Sequence, residues 1–116
     1  MEKDFSYQKD KKLVLKEKGR TYLVEIDNIT HITCEGSITK IHTIKNEVII
    51  ISKLLKIFEI ELADKGFIRA NHNTIVNLSK IDSIRSGKKR LVTLNNGIEV
   101  NISRRKMCNF RNNINN

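Results

Sequence analysis

The chain contains no proline, only two cysteines and no long apolar run. The longest wholly aliphatic stretches, such as Val48 to Ile51, are far shorter than the roughly 20 residues that span a bilayer. The first ten residues also lack the apolar core of a signal peptide. The sequence therefore predicts no membrane span, and we expect a cytoplasmic protein. The absence of proline does not by itself point to any class of protein.

The two cysteines, Cys34 and Cys108, are not in a CxxC arrangement and have no histidines at zinc-site spacing. This pattern indicates neither a disulfide framework nor a structural metal. We interpret both as ordinary reduced thiols, with a redox-sensing role as the alternative.

Enzyme motifs are also missing. The sequence has no HExxH motif and no glycine-rich phosphate loop. His31 and His42 lie in alternating stretches typical of strands, where a structural histidine is commoner than a catalytic one. Glu59 and its acidic neighbours on the predicted central helix are interpreted as solvated charge. A nuclease is thus disfavoured, and we expect no enzyme, no cofactor, no metal site and no small-molecule substrate.

Acidic residues are scarce in the second half of the chain. Residues 67–116 carry ten Lys/Arg and two acids, whereas residues 1–66 carry twelve and eleven, so +8 of the net +9 lies in one half. Lysine and arginine neutralise phosphates and release condensed counterions. A polyanion is therefore the expected partner.

The 116 residues fit one domain. We expect a flexible lead-in over 1–10, the domain over 11–110 and a flexible tail over 111–116. Alternating apolar stretches separated by turns predict a mostly β fold of eight to ten short antiparallel strands. Among the turns, Asn95-Asn-Gly97 is a strong hairpin signal.

Two short helices interrupt the β pattern. Ser52 is predicted to cap a central one, with Leu54, Leu55, Phe58 and Leu62 on one side and Gly66 after its end. Ser103 is predicted to cap a C-terminal helix that begins at Arg104.

Three polar segments could contact nucleic acid. Ala70-Asn-His-Asn-Thr74 could read base edges, although the same residues are good turn formers. Ser103-Arg-Arg-Lys106 could hold a phosphate at a helix start and a guanine through Arg104, or could be a solvated basic face. Ser86-Gly-Lys-Lys-Arg90 is a basic hairpin tip that could touch phosphates or simply favour solubility.

Taken together, Leu13 to Phe110 resembles the LytTR family of bacterial DNA-binding domains. The most specific segment is Phe67-Ile-Arg-Ala-Asn-His-Asn-Thr-Ile-Val-Asn77, which is similar to the family's FIRxHxSxxVN signature. The Asn-Gly hairpin and Ile102-Ser-Arg104 follow at matching spacing. Asp27-Asn-Ile29, Glu35-Gly-Ser37 and Ser52-Lys-Leu-Leu55 resemble earlier parts of the family pattern.

The resemblance implies an elongated set of small antiparallel sheets whose loops enter successive major grooves of double-stranded DNA. It implies base contacts by His72 and Arg104, and by Thr39, for which Lys40 or Ser37 is the alternative. The neighbours implied for phosphate contacts are Arg69, Asn73, Lys40, Ser103 and Arg105, and the charge pattern adds Lys88. Family members often have Arg or Asn at the position of His72 and Ser at that of Asn73.

Family members commonly bind paired direct repeats, so a second copy on DNA is expected. Most join this domain to a receiver domain, for which no room remains before Leu13. We therefore expect a free-standing regulator or an excised C-terminal domain. The main hypothesis is a sequence-specific transcriptional regulator. The alternatives are a protein-interaction or anti-regulator module with the same fold, and a single-strand or RNA binder, which is disfavoured because no RNP-like aromatic motif is present.

Overall fold

The computed structural model describes residues 11–114 and contains ten strands and two α-helices in this range. The predicted lead-in over 1–10 and the last two residues of the predicted tail lie outside the described part. The strands are β1 (Lys12–Glu17), β2 (Arg20–Glu25), β3 (Ile29–Glu35), β4 (Ile38–Thr43), β5 (Val48–Ile51), β6 (Phe67–Asn71), β7 (Thr74–Asn77), β8 (Ile81–Arg85), β9 (Leu91–Leu94) and β10 (Glu99–Asn101). The helices are α1 (Leu55–Glu61) and α2 (Arg104–Ile114). Neither is long and apolar enough to cross a membrane.

The strands form three antiparallel sheets, as the alternating sequence predicts. Strands β1 and β2 form a hairpin, strands β5-β4-β3-β7-β6 form the central sheet, and strands β10-β9-β8 form the third. The β1–β2 loop consists of Lys18 and Gly19, which both have positive φ, at 50° and 80°. A two-residue turn with this geometry matches the twist of the strands it joins.

The central sheet separates two apolar cores, because successive residues of a strand face opposite sides. Phe67 and Ile75 face the first core, which the β1–β2 hairpin and α1 also line. Ile68 and Val76 face the second core, which the third sheet and α2 also line. Two cores on opposite faces of a five-stranded sheet give a body of 51 × 33 × 24 Å, so the predicted elongated shape is confirmed.

Asn77 fixes the end of β7. Its side chain is 3% exposed, and its Nδ2 donates to the Ile29 carbonyl at 2.8 Å. Its Oδ1 accepts a hydrogen bond from the Ser79 backbone N–H at 3.0 Å and so caps the 3₁₀ turn Leu78–Lys80. One buried amide thus holds β3, β7 and the turn into the third sheet together.

The central helix forms as predicted, but its cap does not. The Ser52 hydroxyl donates to the Glu17 carboxylate at 2.8 Å, and the helix is preceded by Leu54, which makes no side-chain cap. Because Leu54 has an extended backbone, it does not continue the helical spacing, and its side chain is 58% exposed. Leu55, Phe58 and Leu62 are buried as predicted, and Gly66 ends the segment at φ 86°.

The C-terminal half closes over the second core. The predicted Asn95-Asn-Gly97 hairpin is present as a three-residue loop in which Gly97 has φ 89°. Helix α2 begins at Arg104, as predicted, and buries Met107 and Phe110. It continues to Ile114, beyond the predicted end of the domain at residue 110.

Candidate nucleic-acid interface

Loops from separate parts of the sequence meet at one end of the central sheet. Strand β3 runs antiparallel to both β4 and β7, with Thr33 opposite Lys40 on one side and Thr74 on the other. The β3–β4 turn and the β6–β7 loop therefore lie side by side. A hydrogen bond from the Cys34 backbone N–H to the Asn73 carbonyl, at 3.1 Å, joins them directly.

Hydrogen bonds within the protein hold the β6–β7 loop, counted here from the last residue of β6 as residues 71–73, at both ends. The Asn71 Oδ1 accepts from the Asn73 backbone N–H at 2.8 Å, and its Nδ2 donates to the Asn101 carbonyl at 2.7 Å. Between these two asparagines, the His72 side chain is exposed. The loop is therefore fixed through its backbone and through Asn71, while the imidazole points to the solvent side.

The start of helix α2 is attached to the same loop. The Ser103 backbone N–H donates to the Ala70 carbonyl at 2.9 Å, directly before Asn71. The Ser103 Oγ accepts from the Lys106 backbone N–H at 3.2 Å, which confirms the predicted cap. Arg104 and Arg105 follow in the first turn, and both are exposed.

A basic groove runs from the β6–β7 loop to the β8–β9 loop. His72, Asn73 and Ser103 line it, together with Lys88, Lys89 and Arg90 of the β8–β9 segment. Glu99 is the one acid among its lining residues. A second groove shares His72 with the first and is lined by Lys56, Arg105 and Lys106, together with Glu59 and Arg69. The polar loop thus contributes to two grooves that are rich in cations.

Comparisons with known proteins agree with this geometry. A sequence profile of the LytTr DNA-binding domain matches residues 19–115. The chain belongs to the LytTR family of DNA-binding domains. Among solved structures, it is similar to the LytTr DNA-binding domain of a protein from Bacillus cereus described as a methyl-accepting/DNA response regulator. The TM-score is 0.75 with 22% identity, and the match covers 90% of this chain and 96% of that chain. No curated protein matches the chain.

Membership of the LytTR family gives this chain a DNA-binding role in regulation. The mostly β fold predicted from the sequence is that of the similar LytTr structure. The family is one of DNA-binding domains and is not a family of enzymes.

The LytTR fold brings together most of the predicted contact residues. His72, Asn73, Ser103 and Lys88 line the first groove, and Arg69 and Arg105 line the second. Arg104 is the first residue of α2. In the sequence it lies between Ser103, which lines both grooves, and Arg105, which lines the second. Lys40 lies two strands from Thr74 across the sheet, or roughly 10 Å at ordinary strand spacing. Its Nζ is 3.3 Å from Glu35 Oε1, and both side chains are partly in solvent.

Thr39 is not presented to a ligand in this LytTR domain. Its side chain is 0% exposed, and its Oγ1 donates to the Lys53 carbonyl. Alternation along β4 turns Thr39 toward the protein and Lys40 toward the opposite, partly open face. The implied base contact by Thr39 is therefore corrected, and Lys40 and the exposed Ser37 remain as the residues of this region that can reach a ligand.

Arg69 is only partly available for contact with a ligand. Its side chain is 15% exposed, and its Nη2 is 2.9 Å from Glu59 Oε1. Its Nη1 donates to the His72 carbonyl at 2.7 Å. The burial of Glu59 opposes its ionisation, but the hydrogen bond and positive charge of Arg69 outweigh this effect, so the pKa of Glu59 is lowered. Glu59, interpreted from the sequence as solvated charge, is instead paired with Arg69.

The two strand histidines lie away from the loop. His31 and His42 face each other across β3 and β4, and their rings stack with centroids 4.1 Å apart. The Thr30 and Thr33 hydroxyls lie within hydrogen-bond distance of their ring nitrogens. Burial, followed by the neighbouring His42, lowers the pKa of His31 to about 4. The structural interpretation of both residues agrees with these contacts.

The described residues do not gather three or more His, Cys, Asp or Glu side chains where they could hold a metal ion. Cys34 is partly buried, and its Sγ is 3.8 Å from Asn73 Oδ1, whereas Cys108 is exposed on α2.

Asn71 is the loop residue that sequence reasoning did not single out. An asparagine at the end of a strand, directly before a tight turn, is typical of a side chain that bonds its own backbone two residues on. That signal was present in the sequence, but the bond to Asn101 joins residues 30 positions apart and could not be predicted locally.

Proposed function

We propose that this LytTR domain is a transcriptional regulator that recognises specific sequences in double-stranded DNA. In this proposal, the β6–β7 loop and the start of α2 enter the major groove, where His72 and Arg104 contact base edges. The observation that carries it is the exposed imidazole of His72, held on a loop whose backbone is already bonded within the protein. A loop fixed before binding loses little entropy when it docks.

The chemistry of these two side chains suits base reading. An imidazole can donate to or accept from base edges, and arginine makes fork-like contacts with O6 and N7 of guanine. The major groove is about 12 Å wide and presents a distinct donor and acceptor pattern for each base pair. Specific recognition in the major groove thus requires polar side chains on an element that protrudes from the protein. The β6–β7 loop is such an element.

The surrounding cations would supply most of the affinity. Lys88, Lys89 and Arg90 line the first groove with His72, and Arg105 and Lys106 line the second groove with it. Contacts between such side chains and phosphates fix the register of a protein on the duplex but carry no sequence information directly. We assign Lys88, Arg105, Lys40, Ser103 and Asn73 to this role.

The length of the domain supports contact with more than one groove. Its longest dimension is 51 Å, and successive major-groove faces of B-DNA are about 34 Å apart. Lys40, on β4, would lie on a different part of the duplex surface from Lys88, on the β8–β9 loop. Paired direct repeats, each occupied by one copy of the domain, are the proposed form of the site.

Selection of bound sequences from a random duplex pool at moderate salt tests this proposal. We expect enrichment of one motif, with a second copy at a fixed spacing in the longest-retained fragments. Failure to enrich any sequence, together with a stable protein partner in a pull-down, would instead favour a protein-interaction module. Tighter binding to single strands than to the duplex at equal salt would favour a single-strand binder.

A further inference from the structure

Arg69 occupies an unusual position for a residue expected to contact phosphate. Alternation along β6 places its side chain on the same face as Phe67, toward helix α1. Two of its nitrogens, Nε and Nη2, donate to Glu59 Oε1 at 3.3 and 2.9 Å. Its third contact is the bond from Nη1 to the His72 carbonyl. The guanidinium therefore connects α1 to the loop that presents His72.

The positive charge of Arg69 is also largely neutralised by a carboxylate of the protein itself. Glu59 is half-buried and lies against it, and Lys56 approaches the same carboxylate at 3.7 Å. An arginine that is 15% exposed and paired with a carboxylate must lose this pair before it can turn to a phosphate. The neighbouring Arg105 has no such cost, because it is exposed at the start of α2.

The bond to His72 acts on the loop at its central residue. Asn71 Oδ1 accepts from the Asn73 N–H and Cys34 N–H donates to the Asn73 carbonyl, while Asn71 Nδ2 donates to the Asn101 carbonyl, so both sides of His72 are fixed. The carbonyl of His72 is held by Arg69. Without this bond, the peptide that carries the imidazole would lose a charge-assisted hydrogen bond that fixes its orientation.

We propose that Arg69 is a positioning residue for sequence recognition, which fixes the His72 peptide from helix α1 through its pair with Glu59, and does not act mainly as a phosphate contact. This inference rests on the proposed DNA-reading role of His72. It assigns Glu59, a carboxylate in the second groove that would repel phosphates, to the support of the same loop.

The first test is Arg69→Lys, which keeps the charge but removes the planar fork that reaches two acceptors at once. Arg111→Lys is the matched control, at an exposed site of α2 that lines neither groove. Affinity is measured by titration on the selected duplex and on a scrambled duplex over a range of salt concentrations, after thermal unfolding has confirmed that each variant is folded.

For Arg69→Lys we expect the ratio of cognate to scrambled affinity to fall about tenfold, as for the loss of one charged hydrogen bond, while the slope of affinity against salt stays unchanged. Arg111→Lys should leave both quantities close to those of the wild type. An unchanged affinity ratio in a folded Arg69→Lys would overturn the proposal. A phosphate contact would show instead as uniform weakening in Arg69→Ala, with a salt slope reduced by about one.

The second test does not touch Arg69 and covers the case in which its variants fail to fold. Glu59→Gln and Glu61→Gln remove the same charge from the same helix, but Glu61 is exposed at the end of α1. Both changes should strengthen binding to any duplex at low salt, because each removes a negative charge. Only Glu59→Gln should lower the cognate-to-scrambled affinity ratio. Equal ratios in the two variants would contradict the positioning role of Arg69.

These outcomes distinguish a failure of the positioning role of Arg69 from a failure of the proposed function itself. If the wild-type protein selects no sequence, the reading role fails before any variant is compared. If it selects a motif and His72→Ala relaxes it, but Glu59→Gln and Arg69→Lys do not, the reading role stands and the positioning role of Arg69 is wrong.

Discussion

Acidification below pH 6.5 should destabilise this domain through one buried histidine. His31 is 5% exposed and stacks on His42 with the ring planes only 8° apart. The Thr30 Oγ1 lies 2.8 Å from the His31 Nδ1 and shares a hydrogen bond with it. Glu47 lines the same hollow as both rings. A proton on His31 would create a charge in a buried site beside a second imidazole.

The sign and size of the effect follow from the pKa. Burial lowers the pKa of His31 from 6.5 to about 4, so between these values the unfolded chain binds more protons than the folded one. Stability is therefore complete above pH 6.5 and falls as the pH is lowered toward 4. Each pKa unit corresponds to 1.36 kcal/mol, so the free energy of unfolding falls by about 2 to 3 kcal/mol by pH 4.5. Burial and then the charge of Lys40 lower the pKa of His42 as well, in the same direction.

Urea unfolding of the wild type and of His31→Gln, measured from pH 7.5 to pH 4.5, checks this prediction. The quantity of interest is the difference between the two free energies of unfolding, because carboxylates also titrate in this range. The stability of the wild type should fall by about 2 to 3 kcal/mol more than that of His31→Gln. His72→Gln, changed at an exposed histidine, is the control and should follow the wild type. Equal pH dependence in His31→Gln and the wild type would refute the reasoning.

Five other substitutions give measurable outcomes. Arg104→Ala should reduce discrimination between cognate and scrambled duplex by roughly 1 to 3 kcal/mol, whereas Lys88→Ala should weaken both and lower the salt slope by about one. Equal loss on both duplexes for Arg104→Ala would argue against base reading. Phe110→Ala should lower the free energy of unfolding by about 3 to 5 kcal/mol, because it opens a cavity in the second core, and a loss below 1 kcal/mol would contradict the packing. Ser103→Ala should cost about 1 kcal/mol in urea unfolding and Ser52→Ala less, since only Ser103 caps its helix; the reverse order would contradict this assignment.

The strands and turns were predictable because their signals are local. Alternation along β3, β4 and β7 follows from the two faces of a strand, and Gly19 and Gly97 occupy the positive-φ positions that their hairpins require. The start of α2 was predictable for the same reason. Ser103 is followed by a segment with no competing turn signal, and its hydroxyl oxygen accepts from the Lys106 N–H.

The errors arise where tertiary contacts override a local signal. Ser52 has the composition of a helix cap, but Glu17, 35 positions earlier, takes its hydroxyl. Thr39 lies beside the partly exposed Lys40 in sequence, yet the pleat of β4 turns it into the protein. The pairing of Glu59 with Arg69 joins a helix to a strand and leaves no periodic trace in the sequence.

The candidate site was predicted in its parts but not in its arrangement. His72, Ser103 and Lys88 come from three segments of the sequence, and only the antiparallel order of the central sheet and the Ser103–Ala70 bond bring them to one end. Asn71 and Arg69 matter because of the backbone atoms they hold, and those bonds became visible only with the fold.

The measurement that tests the account most directly compares the wild type with His72→Ala in selection from a random duplex pool, followed by titration on the wild-type motif. The wild type should enrich one motif. The variant should keep the wild-type salt slope and stability but lose preference at the base positions that His72 contacts, by about 1 to 3 kcal/mol. Enrichment of the same motif by both proteins, with equal affinity ratios, would contradict the proposed role of the loop.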